Sequence, residues 1–299
     1  MPETLPDRSL IPARERIEAW MMQAGPLVVA ASGGVDSMTL AVIAHRRSNP
    51  PPTICHAISP AVPIDATARV RRYAQREGWH LRCIDAGEMN DARYLANPVN
   101  RCYFCKTNLY AAIAPIAAPI AKGAIIVSGA NLDDLDDFRP GLGAAAEAGA
   151  RHPWIECEID KKTVRAIAAD LGLDDLADLP ASPCLSSRIE TGIAIDPRTL
   201  LAVNDCERLA REATGAAIVR CRIRREEVVI EIDADTLAAL SPAQRESCVS
   251  AVTERLHSTI GLSRRGRLAP YQMGSAFVAG GSSAEVQGRS AAPPPDRSA

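Results

Sequence analysis

"PLVVAASGGVDSMTLAVIAHRR", residues 26–47, is the stretch of sequence that decides the fold. Residues 26–31 are an apolar run typical of a buried strand, 32–37 form a loop with two adjacent glycines, and 38–47 have helical character. A strand, a glycine loop and a helix in this order open a nucleotide-binding α/β fold. The stretch therefore predicts a parallel sheet whose first loop binds a ligand.

The same alternation continues further along the chain. Strand-like segments at 53–59, 80–86 and 123–131 and a helical segment at 66–78 predict a mostly parallel sheet with helices on both faces. In such a sheet, ligands bind beyond the carboxyl ends of the strands. One site should therefore form from the loops that follow Ala31, Ser59, Ala86 and Val127.

The pattern changes after about residue 196. The later elements are a helix at 199–213, two short strands around a charged turn within 217–233, and a helix at 242–257. This arrangement predicts a small α+β domain at 196–275 that follows an α/β domain at 1–195. The remainder, 276–299, is rich in Gly, Ser, Ala and Pro, and we expect it to be disordered.

Composition narrows the class of protein. The 299 residues carry a formal net charge of −2, which argues against a protein that holds long nucleic acid through bulk positive charge. The nine cysteines are an odd number spread over a long chain, as expected for reduced thiols. No secretory or membrane-spanning apolar run is visible. We therefore expect a cytoplasmic protein with neither nucleic acid nor membrane as partner.

The glycine loop has the composition of an anion site. Two glycines allow a sharp turn, after which consecutive N–H groups at a helix start face one ligand. The candidate nucleotide-binding residues are Ser32, Gly33, Gly34, Val35, Asp36 and Ser37. The Asp36 carboxylate is also the candidate ligand for Mg²⁺, held against phosphate oxygens. A Walker lysine is absent, and the alternative is an ordinary tight turn.

The segment "NPVNRCYFCKTNLY", 97–110, supplies cations and two cysteines. Arg101 and Lys106 are candidates for binding a phosphorylated substrate. Cys102 and Cys105 form a lone C-x-x-C, for which zinc binding, redox pairing and simple packing beside a helix start all stay open.

Two further segments carry polar candidates. In "SGANLDDLDDFRPG", 128–141, Asn131 and Asp133 are candidates for the nucleotide or its Mg²⁺, and Arg139 for the substrate; a solvated acidic loop is the alternative. In "IVRCRI", 218–223, Arg220 and Arg222 share one strand face. They form a phosphate clamp or, alternatively, a solvated pair on an exposed strand.

The last candidate is a single cysteine. "LPASPCLSSRIETG", 179–192, holds Cys184 among prolines, serines and a glycine, without a histidine or a second cysteine. Neither an apolar core segment nor a paired metal motif has this composition.

Four segments in this order resemble the LarE family of PP-loop ATP pyrophosphatases: "AASGGVDS", "NPVNRCYFCK", "SGANLDDLDDFRPG" and "ASPCLSSRI". The resemblance covers roughly residues 12–275. It implies a PP-loop domain with an adenine nucleotide alpha hydrolase-like sheet, followed by the small α+β domain. One departure is Gly129-Ala130, where the family usually has a hydroxyl residue before the asparagine.

The resemblance also implies a reaction that uses ATP and Mg²⁺. A LarE enzyme adenylates a carboxylate of pyridinium-3,5-biscarboxylic acid mononucleotide and converts it to a thiocarboxylate for the nickel-pincer nucleotide cofactor. In many members a cysteine supplies the sulfur and is left as dehydroalanine; here that residue would be Cys184. We expect an exposed loop around Cys184, with Arg188, Arg220 and Arg222 as its cationic neighbours.

Alternatives to this reaction remain. Some relatives use an iron–sulfur cluster, but the next cysteines, Cys206 and Cys221, are distant in sequence and predicted on a helix and on the strand face opposite the arginines, which favours the single-use route. A PP-loop tRNA thiolase using Cys102 and Cys105, or a non-catalytic adenine-nucleotide module, would share the first motif. For each of these functions we expect the protein to form a homo-oligomer.

Overall fold

The computed structural model describes residues 10–119, 123–136 and 138–277. In the N-terminal part the elements are α1 (Leu10–Gln23), β1 (Leu27–Ala30), α2 (Val35–Arg47), β2 (Thr53–Ala57), α3 (Ile64–Glu77), β3 (His80–Ile84), α4 (Ala92–Leu95), α5 (Arg101–Ala117), β4 (Ile125–Ser128), α6 (Pro140–Glu147), α7 (Pro153–Glu156), α8 (Lys161–Asp170) and α9 (Asp174–Ala177). They are followed by α10 (Pro197–Thr214), β5 (Val219–Ile223), β6 (Glu227–Ile232), α11 (Ala234–Ala239), α12 (Pro242–Ile260) and β7 (Arg265–Pro270).

The first sheet has four parallel strands in the order β3-β2-β1-β4. Strand β1 is buried on both faces of the sheet. Its residues Leu27 and Val29 pack in one apolar cluster with residues of α1, α2 and α8. Val28 and Ala30 pack in another with α5. Alternate residues of a strand point to opposite faces, so helices cover both sides of the sheet. The predicted parallel α/β class is confirmed.

The second sheet has the order β5-β6-β7. Strands β5 and β6 are the predicted antiparallel pair, and β7 adds a parallel strand that the sequence analysis missed. Its segment "RGRLAP" contains two arginines and a proline, which are unusual in strands. Arg267 compensates by forming a bidentate ion pair with Glu227 of β6, at 2.8 and 2.9 Å.

Asn97 links the two parts of the chain. It is fully buried, its φ is 52°, and its Nδ2 donates to the carbonyls of Glu190 and Ile193 at 2.9 Å. Its Oδ1 accepts from Arg101 Nη1 at 3.0 Å. The start of α5 is therefore tied to the segment that follows Cys184.

Residues on the far side of both predicted boundaries of the small domain also pack against it. Leu185 and Ile189, which precede the predicted boundary at 195, pack in the core of the second sheet. Ala276 is buried and its carbonyl accepts the Thr191 N–H at 3.0 Å, so packing extends past residue 275. The predicted tail otherwise lies outside the described residues, from 278 onward. Among the described residues, no helix combines the length and apolarity needed to cross a membrane.

Candidate active site

The glycine loop connects β1 to the first turn of α2. Gly33 has a φ of +86°, a left-handed value that glycine adopts without strain. The N–H of Ser32 donates to Ser37 Oγ at 3.0 Å, and the two serine hydroxyls lie 3.0 Å apart. The first N–H groups of a helix have no partner within it, so this loop directs donors and the positive end of α2 toward one place. The loop therefore has the sharp turn at a helix start that the sequence predicted, and its binding of an anion stays a prediction.

Asp36 is held at the start of α2 by two other segments. Asn131 Nδ2 donates to its Oδ1 at 2.9 Å, and Lys161 Nζ lies 3.4 Å from its Oδ2. Asp133, in contrast, accepts the backbone N–H of Lys161 at 3.2 Å and so supports the start of α8. The sequence analysis missed Lys161, because nothing in its local pattern distinguishes it from a solvated lysine at a helix start.

A pocket of about 280 Å³ opens beside this loop, between the start of α5 and the segment that leads into α6. Among its lining residues are Ser32, Asp36, Ser37, Cys102, Lys106, Asp134, Arg139 and His152. Lys106 and Arg139, the predicted substrate-binding residues, both line this pocket, and Arg139 is paired with Asp134 at 3.0 Å. Charged and polar groups of this kind suit a phosphorylated ligand.

Two residues differ from expectation at this pocket. Arg101 does not line it: its side chain is buried, bonded to Asn97, and its guanidinium carbon lies 4.4 Å from the ring centroid of Phe277. His152, which the sequence analysis did not consider, does line it and bonds Ser128 Oγ through Nδ1 at 2.9 Å. Burial lowers the pKa of His152, so the neutral ring is favoured at neutral pH.

Cys184 lies where the chain passes from the surface into the second core. Pro183 is exposed, Cys184 is half-buried, and the 3₁₀ turn Leu185–Arg188 is buried. The prediction of an exposed loop held by its serines is therefore wrong beyond residue 184. Ser187 Oγ donates to the Cys184 carbonyl at 2.8 Å, and the Ser186 hydroxyl lies 2.5 Å from the Tyr94 hydroxyl. The serines are interior because they satisfy buried polar groups.

Arg188 ends the 3₁₀ turn that follows Cys184. Its guanidinium is 1% exposed and forms a bidentate ion pair with Glu207, at 2.8 and 3.0 Å. Nη1 also donates to the carbonyls of Pro183 and Cys184, at 2.7 and 3.1 Å. The guanidinium therefore fixes the backbone that carries the thiol.

Arg220 and Arg222 are buried on one face of β5, so the solvated-strand alternative is wrong. Arg222 Nε donates to Glu231 at 3.0 Å, and its Nη1 donates to the carbonyl of Ser187 at 3.0 Å. Arg220 donates to the carbonyl of Ala181, and burial lowers its pKa to about 10. Both arginines thus help to hold the backbone on either side of Cys184.

Cys102 and Cys105 lie within electrostatic range of Cys184. Burial raises the pKa of Cys102, and a negative charge on Cys184 raises it further. Burial also raises the pKa of Cys105 to about 12. The sequence analysis missed this proximity, because it considered only cysteines that follow Cys184 along the chain. Cys206 and Cys221 lie instead in the core of the second sheet.

The arrangement of these thiols was compared with that of a metal or cluster site. Within residues 10–119, 123–136 and 138–277, no group of three or more His, Cys, Asp or Glu side chains is arranged to hold a metal ion. All nine cysteines are free thiols.

We predict that Gly129→Ala disrupts the glycine loop. A Cβ at this position would lie 2.6 Å from the backbone N of Ser37 and 2.7 Å from its Cα, so α2 or the loop after β4 must shift. Such overpacking costs about 1–3 kcal/mol, and we expect nucleotide binding to fall at least ~10-fold. Thermal-shift titration with ATP measures both effects.

Gly143→Ala is the matched control for this substitution. The nearest atom to its Cβ would be Tyr103 Cδ2 at 4.0 Å, and the position lies within α6. Alanine is the better helix former, so this variant should bind ATP normally. Equal ATP titrations for the two variants would contradict the close approach of Gly129 to the loop.

The chain was compared with known proteins. No family model matches the sequence. An uncharacterized protein of Synechocystis is 37% identical over 205 residues, which cover 69% of this chain and 75% of the relative. An uncharacterized protein of Methanocaldococcus jannaschii is 28% identical over 210 residues, covering 70% and 78%.

A third relative has an assigned activity. The pyridinium-3,5-bisthiocarboxylic acid mononucleotide synthase of Lactiplantibacillus plantarum is 29% identical over 209 residues, which cover 69% of this chain and 74% of the synthase. This synthase is LarE, the family that the four sequence segments resemble. The chain therefore belongs to one family with the Synechocystis protein, and its similarity to the synthase supports a LarE-like family.

Proposed function

We propose that the protein is an ATP-dependent sulfur transferase that converts a carboxylate of pyridinium-3,5-biscarboxylic acid mononucleotide to a thiocarboxylate, for the nickel-pincer nucleotide cofactor. The observation that carries this proposal is the pocket that joins the glycine loop to Cys102 and Lys106, with Cys184 near enough for its charge to raise the pKa of Cys102. A phosphate-binding loop and a candidate nucleophile thereby belong to one connected region. The similarity to the Lactiplantibacillus synthase supports the identity of the substrate.

The first half of the reaction uses the glycine loop. A substrate carboxylate oxygen attacks the α-phosphorus of ATP, and pyrophosphate leaves with the bond electrons. The N–H groups of Gly33 and Gly34 and the hydroxyls of Ser32 and Ser37 bind the pyrophosphate. Asp36 has the carboxylate oxygens that Mg²⁺ prefers, and Mg²⁺ would neutralise phosphate charge there.

The second half uses the thiol. The Cys184 thiolate attacks the acyl carbon, AMP leaves, and a thioester joins substrate to protein. The Cβ–S bond of Cys184 then breaks, sulfur leaves as the thiocarboxylate, and residue 184 becomes dehydroalanine. Arg188, Arg220 and Arg222 position the thiol through the carbonyls of its segment, while Lys106 and Arg139 bind the substrate phosphate.

The rival functions make different demands on this site. A tRNA thiolase would act on a macromolecule, and a nucleotide-binding module would bind ATP without consuming it. The −2 net charge disfavours the first rival. Nine free cysteines suit a reducing compartment, so we propose the cytoplasm as the site of the reaction. The expected homo-oligomer stays a prediction.

Peptide mass spectrometry tests the proposal. The full chain is incubated with ATP, Mg²⁺ and the biscarboxylate mononucleotide, and pyrophosphate is measured in parallel. We expect pyrophosphate release, one thiocarboxylate per chain, and loss of the elements of H₂S from the peptide that contains Cys184. ATP binding without pyrophosphate release would contradict the enzyme, and an intact Cys184 beside newly formed thiocarboxylate would contradict the sulfur source.

A further inference from the structure

The proposed conversion of Cys184 to dehydroalanine requires a base. Breaking the Cβ–S bond by elimination requires that the α-proton of residue 184 leave as well, because its bonding electrons form the new double bond. A side chain near this segment must accept the proton, and a carboxylate with an unoccupied oxygen has the required chemistry. The inference that follows rests on the proposed function.

Two carboxylates beside the Cys184 segment are already bonded to arginines. Glu207 accepts from Arg188 through both oxygens, at 2.8 and 3.0 Å, and Oε1 also accepts the Cys221 N–H at 3.0 Å. Glu231 accepts from Arg222 at 3.0 Å through one oxygen and from the hydroxyl of Ser275 through the other. The oxygens of both buried carboxylates are therefore occupied by donors, so neither carboxylate offers a free acceptor for a proton.

Glu88 is different. It begins the 3₁₀ turn Glu88–Asn90 and is only 4% exposed. Its Oε2 is buried and has no hydrogen-bond partner among the described residues. Leaving a buried carboxylate oxygen without a hydrogen-bond donor costs free energy, so such oxygens are rare in folded proteins. A role in the reaction would explain why Glu88 keeps one.

Tyr94 and Cys105 connect the surroundings of Glu88 with those of Cys184. The turn that carries Glu88 packs against α4 and α5, which supply Tyr94 and Cys105. The Tyr94 hydroxyl lies 2.5 Å from that of Ser186, two positions after Cys184. Burial raises the pKa of Tyr94, and negative charges on Cys184 and Glu88 raise it further. The same two charges also raise the pKa of Cys105. Glu88 and Cys184 therefore adjoin one cluster.

We propose that Glu88 is the base that removes the α-proton of Cys184 after the thioester has formed, directly or through one water molecule. The C–H electron pair becomes the Cα=Cβ bond of dehydroalanine. The Cβ–S electron pair leaves with sulfur on the thiocarboxylate, and the proton stays on Glu88. No oxidant or reductant is needed, and the carboxylate returns when this proton passes to solvent.

The test follows the two halves of the reaction in Glu88→Gln. The full chain is mixed with ATP, Mg²⁺ and the biscarboxylate mononucleotide, and pyrophosphate, the acylated peptide and the dehydroalanine peptide are measured with time. We expect pyrophosphate release and acylation of Cys184 to continue, while dehydroalanine forms at least ~100-fold more slowly. The acylated peptide should accumulate.

Glu190→Gln is the matched control, since Glu190 lies close to Cys184 in sequence and is paired with Arg225 at 3.3 Å. It should form dehydroalanine at the wild-type rate. Glu88→Ala provides a second reading, because added formate should restore its elimination step if a carboxylate is what is missing.

Several results would overturn the proposal. Glu88→Gln forming dehydroalanine at the wild-type rate would exclude Glu88 as the base. If Glu88→Gln is folded by circular dichroism yet blocks acylation, Glu88 acts before the elimination step. If Glu88→Gln does not fold, the Glu88→Ala variant decides the question. Failure of formate to restore dehydroalanine formation in that variant would also exclude Glu88 as the base. Wild-type protein that makes thiocarboxylate with Cys184 intact overturns the proposed sulfur source as well, so the two failures are distinguishable.

Discussion

Cys184→Ser is expected to release pyrophosphate at close to the wild-type rate and to form no thiocarboxylate. Adenylation depends on the glycine loop and its pocket, to which the Cys184 side chain does not contribute a lining group. A serine hydroxyl has no sulfur to transfer, so the second half of the reaction fails completely. The measurement is single-turnover chromatography of the mononucleotide, with pyrophosphate followed in parallel.

Two additions sharpen this prediction. Inorganic sulfide should restore thiocarboxylate to Cys184→Ser, because it can attack the acyl adenylate in place of the thiolate. Cys83→Ser is the matched control, since Cys83 is exposed on β3, and it should behave as wild type. Stoichiometric thiocarboxylate from Cys184→Ser without added sulfide would show that sulfur comes from elsewhere.

Glu207→Ala is expected to destabilise the protein strongly. The Arg188 side chain is only 1% exposed. In this variant it would keep its positive charge but lose both hydrogen bonds to the Glu207 carboxylate. Removing one partner of a buried ion pair costs about 3–5 kcal/mol. For a chain of 299 residues that loss lowers Tm by roughly 5–8 °C. Differential scanning calorimetry measures it.

The control for Glu207→Ala is Glu212→Ala on the same helix. Glu212 pairs with Arg208 at 2.9 Å, but both side chains are more than half exposed. Such a pair contributes less than about 1 kcal/mol. If both variants lose equal stability, the buried pair has no special role.

A double variant separates stability from function. Arg188→Leu combined with Glu207→Leu removes both charges and should recover part of the lost stability. It should not recover sulfur transfer, because the carbonyls of Pro183 and Cys184 lose the guanidinium that holds them. Full thiocarboxylate formation by the double variant would mean that Arg188 has only a structural role.

Local patterns predicted the parts of the fold that depend on neighbours in sequence. The apolar run at β1 is buried on both faces of the sheet, and such a run requires helices on both sides whatever the rest of the chain does. The glycine loop likewise follows from two adjacent glycines between a strand and a helix. The β5-β6 hairpin was predicted from its alternation, but β7 was not, because its arginines become favourable only beside Glu227.

The site shows the limit of this reasoning. Alternation put Arg220 and Arg222 on one face of β5, yet it could not distinguish a solvated face from one buried against the Cys184 segment. Arg101 was expected near a phosphate and instead packs inside, bonded to Asn97. A charged residue looks the same in sequence in both settings, since only its partners decide whether burial is tolerated.

The sequence by itself determined the parallel α/β class and the glycine loop at residues 32–37, because both depend on residues that are adjacent along the chain. The resemblance to the LarE family pointed to Cys184 as the candidate sulfur donor. Only the tertiary structure decided that the Tyr94 hydroxyl meets that of Ser186, that the turn carrying Glu88 packs against α4 and α5, and that three arginines bind the backbone around Cys184. These residues are distant in sequence, and their contacts exist only once two sheets and their helices have packed together.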